Sequence, residues 1–226
     1  MNVTLVPVFY AAVAVATLWL ALLVCARLKP NRRTRVLKVL IGVVTIALLF
    51  VPISGLPLWS RAFSFYPNPS LPLLGIICAA LWHRLLGLGV FKPADWTAVW
   101  WYGVVGGTVL YLHPFVFGGV DLYFWGWDRN VAVWSLAAMT VVLFVAGSRL
   151  GILLLAALLA YAVNALESQN CWDYVMDPFF WLISCAVVAI RASMRGFRLV
   201  LSQLQTWKEK RAFGSASVPA GGDGRS

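Results

Sequence analysis

Charge is scarce in this chain. Of its 226 residues 12% are charged, only eight are acidic and two are histidine. Soluble globular domains carry about 25% charged residues, so half of the usual solvating charge is missing and a water-soluble surface is not expected. Cysteine is also sparse. Cys25, Cys78 and Cys185 fall inside apolar segments, where a thiol packs as a small hydrophobe, and only Cys171 lies in a loop. No loop disulfide and no Cys/His zinc spacing follows from that arrangement. A paired histidine, a nucleophile elbow and a glycine-rich phosphate loop are missing as well, so no motif names a reaction, and the sequence leaves any cofactor unknown. Neither a repeat nor an inverted symmetry of the transporter kind is visible.

What is abundant is apolar residue: 62% hydrophobic, with mean hydropathy +0.84. These residues fall into segments at about 3–26, 36–53, 71–83 (or to 91), 96–112, 131–147, 150–166 and 178–194. A spanning helix needs about 20 apolar residues. The pattern predicts an all-α integral membrane protein, a bundle of about seven transmembrane helices occupying residues 1–194. Leu22-Leu23-Val24-Cys25 has the outline of a lipoprotein cleavage box, but Val24 is too large for it. With no basic residue ahead of the first apolar run, a signal peptide is not expected and the first segment is read as retained.

Local signals mark the boundaries. Pro30 breaks the first connection, and Lys38 is expected to snorkel from the second helix. Gly55, Pro57, Pro67 and Pro69 mark a loop rich in aromatics. Pro72 sits in a first turn. Asp95 is placed to cap a helix from Trp96, Asn130 one from Val131, and Asp177 one opening at Pro178. Asn164 is expected one turn inside the sixth helix, cross-bonding a neighbour. Gly103-x-x-x-Gly107 is a close-packing spacing that speaks of packing and not of function. After the seventh segment, Phe197, Val200, Leu201, Leu204 and Trp207 recur at helical spacing. Residues 195–211 are therefore expected to form a basic amphipathic surface helix, and 212–226 a disordered tail.

The basic residues test this topology. With the N-terminus outside, the cytoplasm receives 16 of the 18, and only Arg61 and Arg129 lie outside. Five of the eight acids fall outside: Asp121, Asp128, Glu167, Asp173 and Asp177. The two sides then carry +13 and −3, as the positive-inside rule requires of an N-out, C-in chain. Basic residues flanking apolar segments also explain the net +10 without nucleic acid. Short loops and the strong bias point to a bacterial inner membrane.

Functional candidates gather on the outer side. Asp121, Trp125 and Asp128 in one loop, and Glu167, Trp172 and Asp173 in another, combine carboxylates with aromatic faces. Such a combination suits a glycan, a cationic partner or a hard metal, although tryptophans also serve as interface anchors. Asp177 is read as a cap that asparagine could replace. His113 and Trp127 lie nearby. Asp173 and Asp177 would share one helix face as an acid/base pair only if a helix ran through Pro178. On the inner side Arg84 and Arg191 are deep enough to contact a lipid phosphate, if they do not simply snorkel. The leading expectation is a non-enzymatic subunit or accessory of cell-envelope assembly whose outer loops bind a partner protein or glycan. The alternative is a small membrane enzyme acting on a lipid-linked substrate, and a transporter ranks below both.

Overall fold

In the computed structural model, residues 5–25, 34–65, 69–116 and 121–216 are described. The chain is mostly helical. In order come α1 (Leu5–Cys25), α2 (Arg35–Phe50), α3 (Leu58–Phe65), α4 (Leu71–Leu86), α5 (Pro93–Val116), α6 (Arg129–Val145), α7 (Leu150–Ala162) and α8 (Pro178–Ala216). Two short 3₁₀ turns, Phe124–Trp127 and Cys171–Tyr174, precede α6 and α8. Helix α3 and a small antiparallel pair, Pro52–Ile53 with Leu56–Pro57, occupy the stretch expected to be loop. Gly55 (φ 82°) and Ser54 (φ 52°) make the turn, and the Arg61 guanidinium donates to the Ile53 carbonyl at 2.7 Å.

One helical stretch among the described residues, Pro178–Gln203, is both long and apolar enough to cross a membrane. The apolar stretches 10–24, 71–86, 130–145 and 150–162 are shorter. The chain divides into two compact units, Met1–Cys185 and Ala186–Ser226. In the second, the helix begun at Pro178 continues unbroken through residue 195 and on to Ala216, past both boundaries expected from sequence. Phe197, Val200, Leu201 and Trp207 are exposed there. The side chain of Leu204 and residues 217–226 lie outside the description, as do residues 26–33.

Helix ends in the first unit follow from capping chemistry. Helix α4 begins at the Ser70 cap, whose hydroxyl accepts from Leu73 N, and ends where Gly87 turns left-handed (φ 76°) and donates to the His83 carbonyl. His83 and Arg84 thus lie in the last turn. Helix α6 closes in a Schellman motif, with Ser148 N on Leu143 O and Gly147 N on Phe144 O. Its start differs from expectation. Asp128, not Asn130, is the cap, accepting from Asn130 N at 3.0 Å. Helix α5 starts at Pro93, which moves Asp95 from the cap to the third helical position. From there Asp95 reaches back to Lys92 N at 2.9 Å, the returning half of a capping box.

Asn164 also moves. Helix α7 stops at Ala162, and Asn164 adopts φ 51° with its N–H on Tyr161 O, while Ala165 N bonds Ala160 O. That is a second Schellman motif, and asparagine tolerates its left-handed position better than other side chains. The residue terminates a helix and does not bridge two.

Packing runs through small residues. A Cβ on Gly103 would sit 2.0 Å from Ser184 Oγ, and one on Gly107 2.4 Å from the Trp181 ring, so the glycine spacing seats the start of α8. Gly42 meets the Trp19 ring of α1 in the same way. Leu154 and Ala157 of α7 and Ala132 and Leu136 of α6 are fully buried between the helices. Helix α2 is turned inside out: Lys38, Gly42, Thr45 and Leu49 are buried, whereas Val36, Leu40, Val43 and Phe50 are exposed. Lys38 does not snorkel. Its side chain is fully buried and its ammonium donates to the Arg84 carbonyl, in the last turn of α4, at 2.7 Å. Thr45 satisfies its buried hydroxyl on the Ile41 carbonyl.

Candidate functional site

The stretches 121–130 and 166–177 meet at one end of the bundle and interlock. Asn170 organises the join. Its side-chain oxygen accepts from Trp172 N (2.9 Å), starting the second 3₁₀ turn, and its amide donates to the Tyr123 carbonyl at 3.1 Å. The Trp172 indole N–H reaches the Leu122 carbonyl at 3.1 Å. Gly126 is required here, because a Cβ would fall 1.8 Å from Asn170 Oδ1. Cys171, Tyr174, Val175 and Met176 are buried beneath. Tyr174 pins the preceding turn, donating to the carbonyls of Leu166 (3.3 Å) and Ser168 (3.2 Å) and accepting from Leu166 N. Burial pushes the Tyr174 phenol above its usual value and the Cys171 thiol up to about 11. The thiol therefore stays protonated at neutral pH and is a poor nucleophile.

The carboxylates are engaged in holding this cap. Asp121 accepts from Tyr123 N (2.9 Å) and Phe124 N (3.3 Å) through one oxygen. Asp128 caps α6. Asp173 takes the Tyr123 hydroxyl at 2.5 Å on one oxygen and the Ser168 hydroxyl on the other. Burial, then the hydrogen bond to Asp173 and that carboxylate's charge, push the Tyr123 phenol well above its usual range, so it remains a donor. Asp177 is almost fully buried. One of its oxygens accepts from Phe180 N and the other from Ser70 N, both at 2.9 Å. It therefore caps α8 and ties α8 to the start of α4. Because α8 begins at Pro178, no helix places Asp173 and Asp177 on one face. Glu167 is exposed, with Tyr10 of α1 bonded to its backbone.

Among the described residues no three potential ligands converge on a metal position. What the cap presents is aromatic: Phe124, Trp125 and Trp127 are exposed. Trp125 and Trp172 also roof a cleft of about 590 Å³ between α5 and α6, walled by Trp101, Tyr102, Ser135 and Met139. The expected residues from the two loops thus share one end of the fold. Trp125 and Trp172 line a common space, Asp173 bonds Tyr123, and Asp121 and Asp128 are spent on local turns. Arg84 sits at the other end of α4, and Arg191 belongs to the second unit. The side chains of His113 and Arg129, and residues 117–120, lie outside the description. Asn170, Tyr123, Tyr174 and Gly126 were not picked out from sequence. The Asn-x-Trp of 170–172 and the glycine between Trp125 and Trp127 were the available signals. No family model, curated protein or solved structure matches the chain.

Proposed function

We propose that the protein is a multi-pass inner-membrane component, embedded through about seven helices with its C-terminus cytoplasmic, and that it works by binding. In this reading it is a subunit or accessory of cell-envelope assembly whose outer cap docks a partner protein or glycan. Embedding is supported by the inverted α2 and by the exposed apolar side chains of α6, such as Trp134, Val142 and Val145. A soluble monomer rarely exposes apolar patches beyond a few hundred Å², whereas lipid tails are the matching solvent. The shorter helices meet the bilayer with their non-helical flanks.

The observation that carries the binding role is the state of the carboxylates. Asp121, Asp128, Asp173 and Asp177 are turned onto backbone N–H groups or hydroxyls, which fixes the cap and leaves Trp125 and Trp127 outward. A rigid aromatic surface is a docking device, because little side-chain freedom is lost when a ligand covers it. The cleft under Trp125 and Trp172 favours a second reading, an enzyme acting on a lipid-linked substrate whose chain lies in that space.

Alanine variants of Trp125, Trp127 and Trp172 test the choice, each with membrane levels measured, by crosslinking and co-purification from native membranes. The binding role predicts loss of a specific envelope protein or glycan from Trp125→Ala and Trp127→Ala at normal abundance. Unchanged co-purification in all three would overturn it. Reporter fusions after Lys92 and Lys210 should give cytoplasmic signals, and one after Gln169 an external signal. An inverted pattern would overturn the topology.

A further inference from the structure

At the end of the bundle away from the cap, a cleft of about 240 Å³ runs along α4 and α7, which pack tightly against each other where Gly75 meets Leu153. Its walls are Gly75, Cys78 and Trp82 of α4, Phe91 of the following connection, Leu153 of α7, and Arg149 at the α6–α7 turn. Arg149 is the one charged residue among those that line it. Cys78 and Trp82 are exposed, so the cleft opens sideways, along the flank of the helices. From Gly75 to Trp82 it follows seven residues, about 10 Å of helix at 1.5 Å per residue. We propose that this cleft binds one anionic phospholipid, with an acyl chain against Gly75, Cys78 and Trp82 and the headgroup phosphate on Arg149. The proposal rests on the embedded reading given above.

Three features favour that occupant. The cleft is too small for a helix, whose diameter with side chains is about 10–12 Å, but it can hold a chain. Its walls are apolar until Arg149, where a planar guanidinium can meet phosphate oxygens in pairs. A free phosphate would gain nothing from the apolar floor. The charges around the mouth also sum in favour of an anion. Asp95 faces Lys92 and Arg149, but it directs one carboxylate oxygen to Lys92 N (2.9 Å) and the other to Arg149 N (3.0 Å). The acid therefore fixes the backbone from which Arg149 extends, and two cations stand against one carboxylate. A basic side chain near a bilayer surface adds about 1 kcal/mol toward anionic lipid, or about fivefold in affinity. Trp82 at the mouth suits the headgroup level.

The test uses the full-length protein, purified and offered phosphatidylglycerol and phosphatidylcholine of equal chain length, with bound lipid counted by native mass spectrometry. The wild type should retain phosphatidylglycerol about fivefold more strongly. Arg149→Gln should bring the two lipids close to parity, and Arg149→Lys should keep part of the preference. Cys78→Trp, which fills the cleft and leaves the charge in place, should lower retention of both lipids. Melting of each variant reports whether it is folded. An unchanged preference in Arg149→Gln, or undiminished retention in Cys78→Trp, would overturn the lipid site while leaving the embedded reading intact. Release of the wild type from membranes by alkaline carbonate would overturn both.

Discussion

Asp177 and Asp128 both cap helices in the structure, although by sequence only Asp177 reads as a cap that asparagine could replace. Their partners separate them. Asp128 uses one oxygen on one N–H, so Asp128→Asn keeps an acceptor where it is needed and should cost only a few tenths of a kcal/mol. Asp177 uses both oxygens on N–H groups, one from Phe180 in its own helix and one from Ser70, 107 residues away in sequence at the start of α4. An asparagine has one acceptor oxygen, and its amide nitrogen would face an N–H as donor against donor. Losing a hydrogen bond to a carboxylate costs about 1.5–3 kcal/mol, and the stranded N–H at Ser70 is buried. Asp177→Asn should therefore cost about 2–4 kcal/mol, with Asp177→Ala somewhat more. For a chain of this size that is a fall of roughly 4–16 °C in Tm, at about 2–4 °C per kcal/mol. Thermal unfolding of the two asparagine variants in the same detergent decides it. Melting of Asp177→Asn within about 1 °C of Asp128→Asn would show that the tie to Ser70 contributes nothing.

Asp95 gives a pH prediction. Burial alone would raise its pKa, but the N–H groups of Arg149 and Lys92, with their charges, bring it below the usual 3.8. A carboxylate depressed on folding stabilises above its unfolded pKa and loses that contribution as pH falls through the folded value. The stability gap between wild type and Asp95→Asn should be full at neutral pH and shrink in acid below about 3.8, and pH-dependent melting would expose a gap that does not change. Gly103→Ala and Gly107→Ala push a methyl into Ser184 and Trp181 and should cost about 1–3 kcal/mol each. Gly196→Ala, with open space around it, should be neutral or stabilising by up to about 1 kcal/mol in the same melting series. At Asn164, glycine should be tolerated and alanine should cost about 1–2 kcal/mol because of the left-handed backbone. Equal melting of those two variants would remove the Schellman assignment.

Composition and periodicity were enough to read a helical chain from these residues. Long apolar runs interrupted by proline, glycine and charge are the pattern of consecutive helices, in which the backbone satisfies its own N–H and C=O groups. Pro178 and the Gly103/Gly107 spacing were also legible, since each acts through its own backbone or its lack of a side chain. Helix ends were read less well. Asp95, Asn130 and Asn164 were displaced by a few positions because several residues in each stretch can cap, and neighbouring segments decide which one does. The inward turn of Lys38 was hidden, because its partner is a carbonyl 46 residues away. The same limit applied to the cap. Sequence brought its acids and tryptophans into view as a group, because both loops end helices on one side. That the four aspartates would be spent on Tyr123, Ser168, Ser70 and local N–H groups, leaving Trp125 and Trp127 to face outward, depends on contacts between distant segments. Only packing creates those contacts, since a carboxylate commits to whichever donors the fold carries to it.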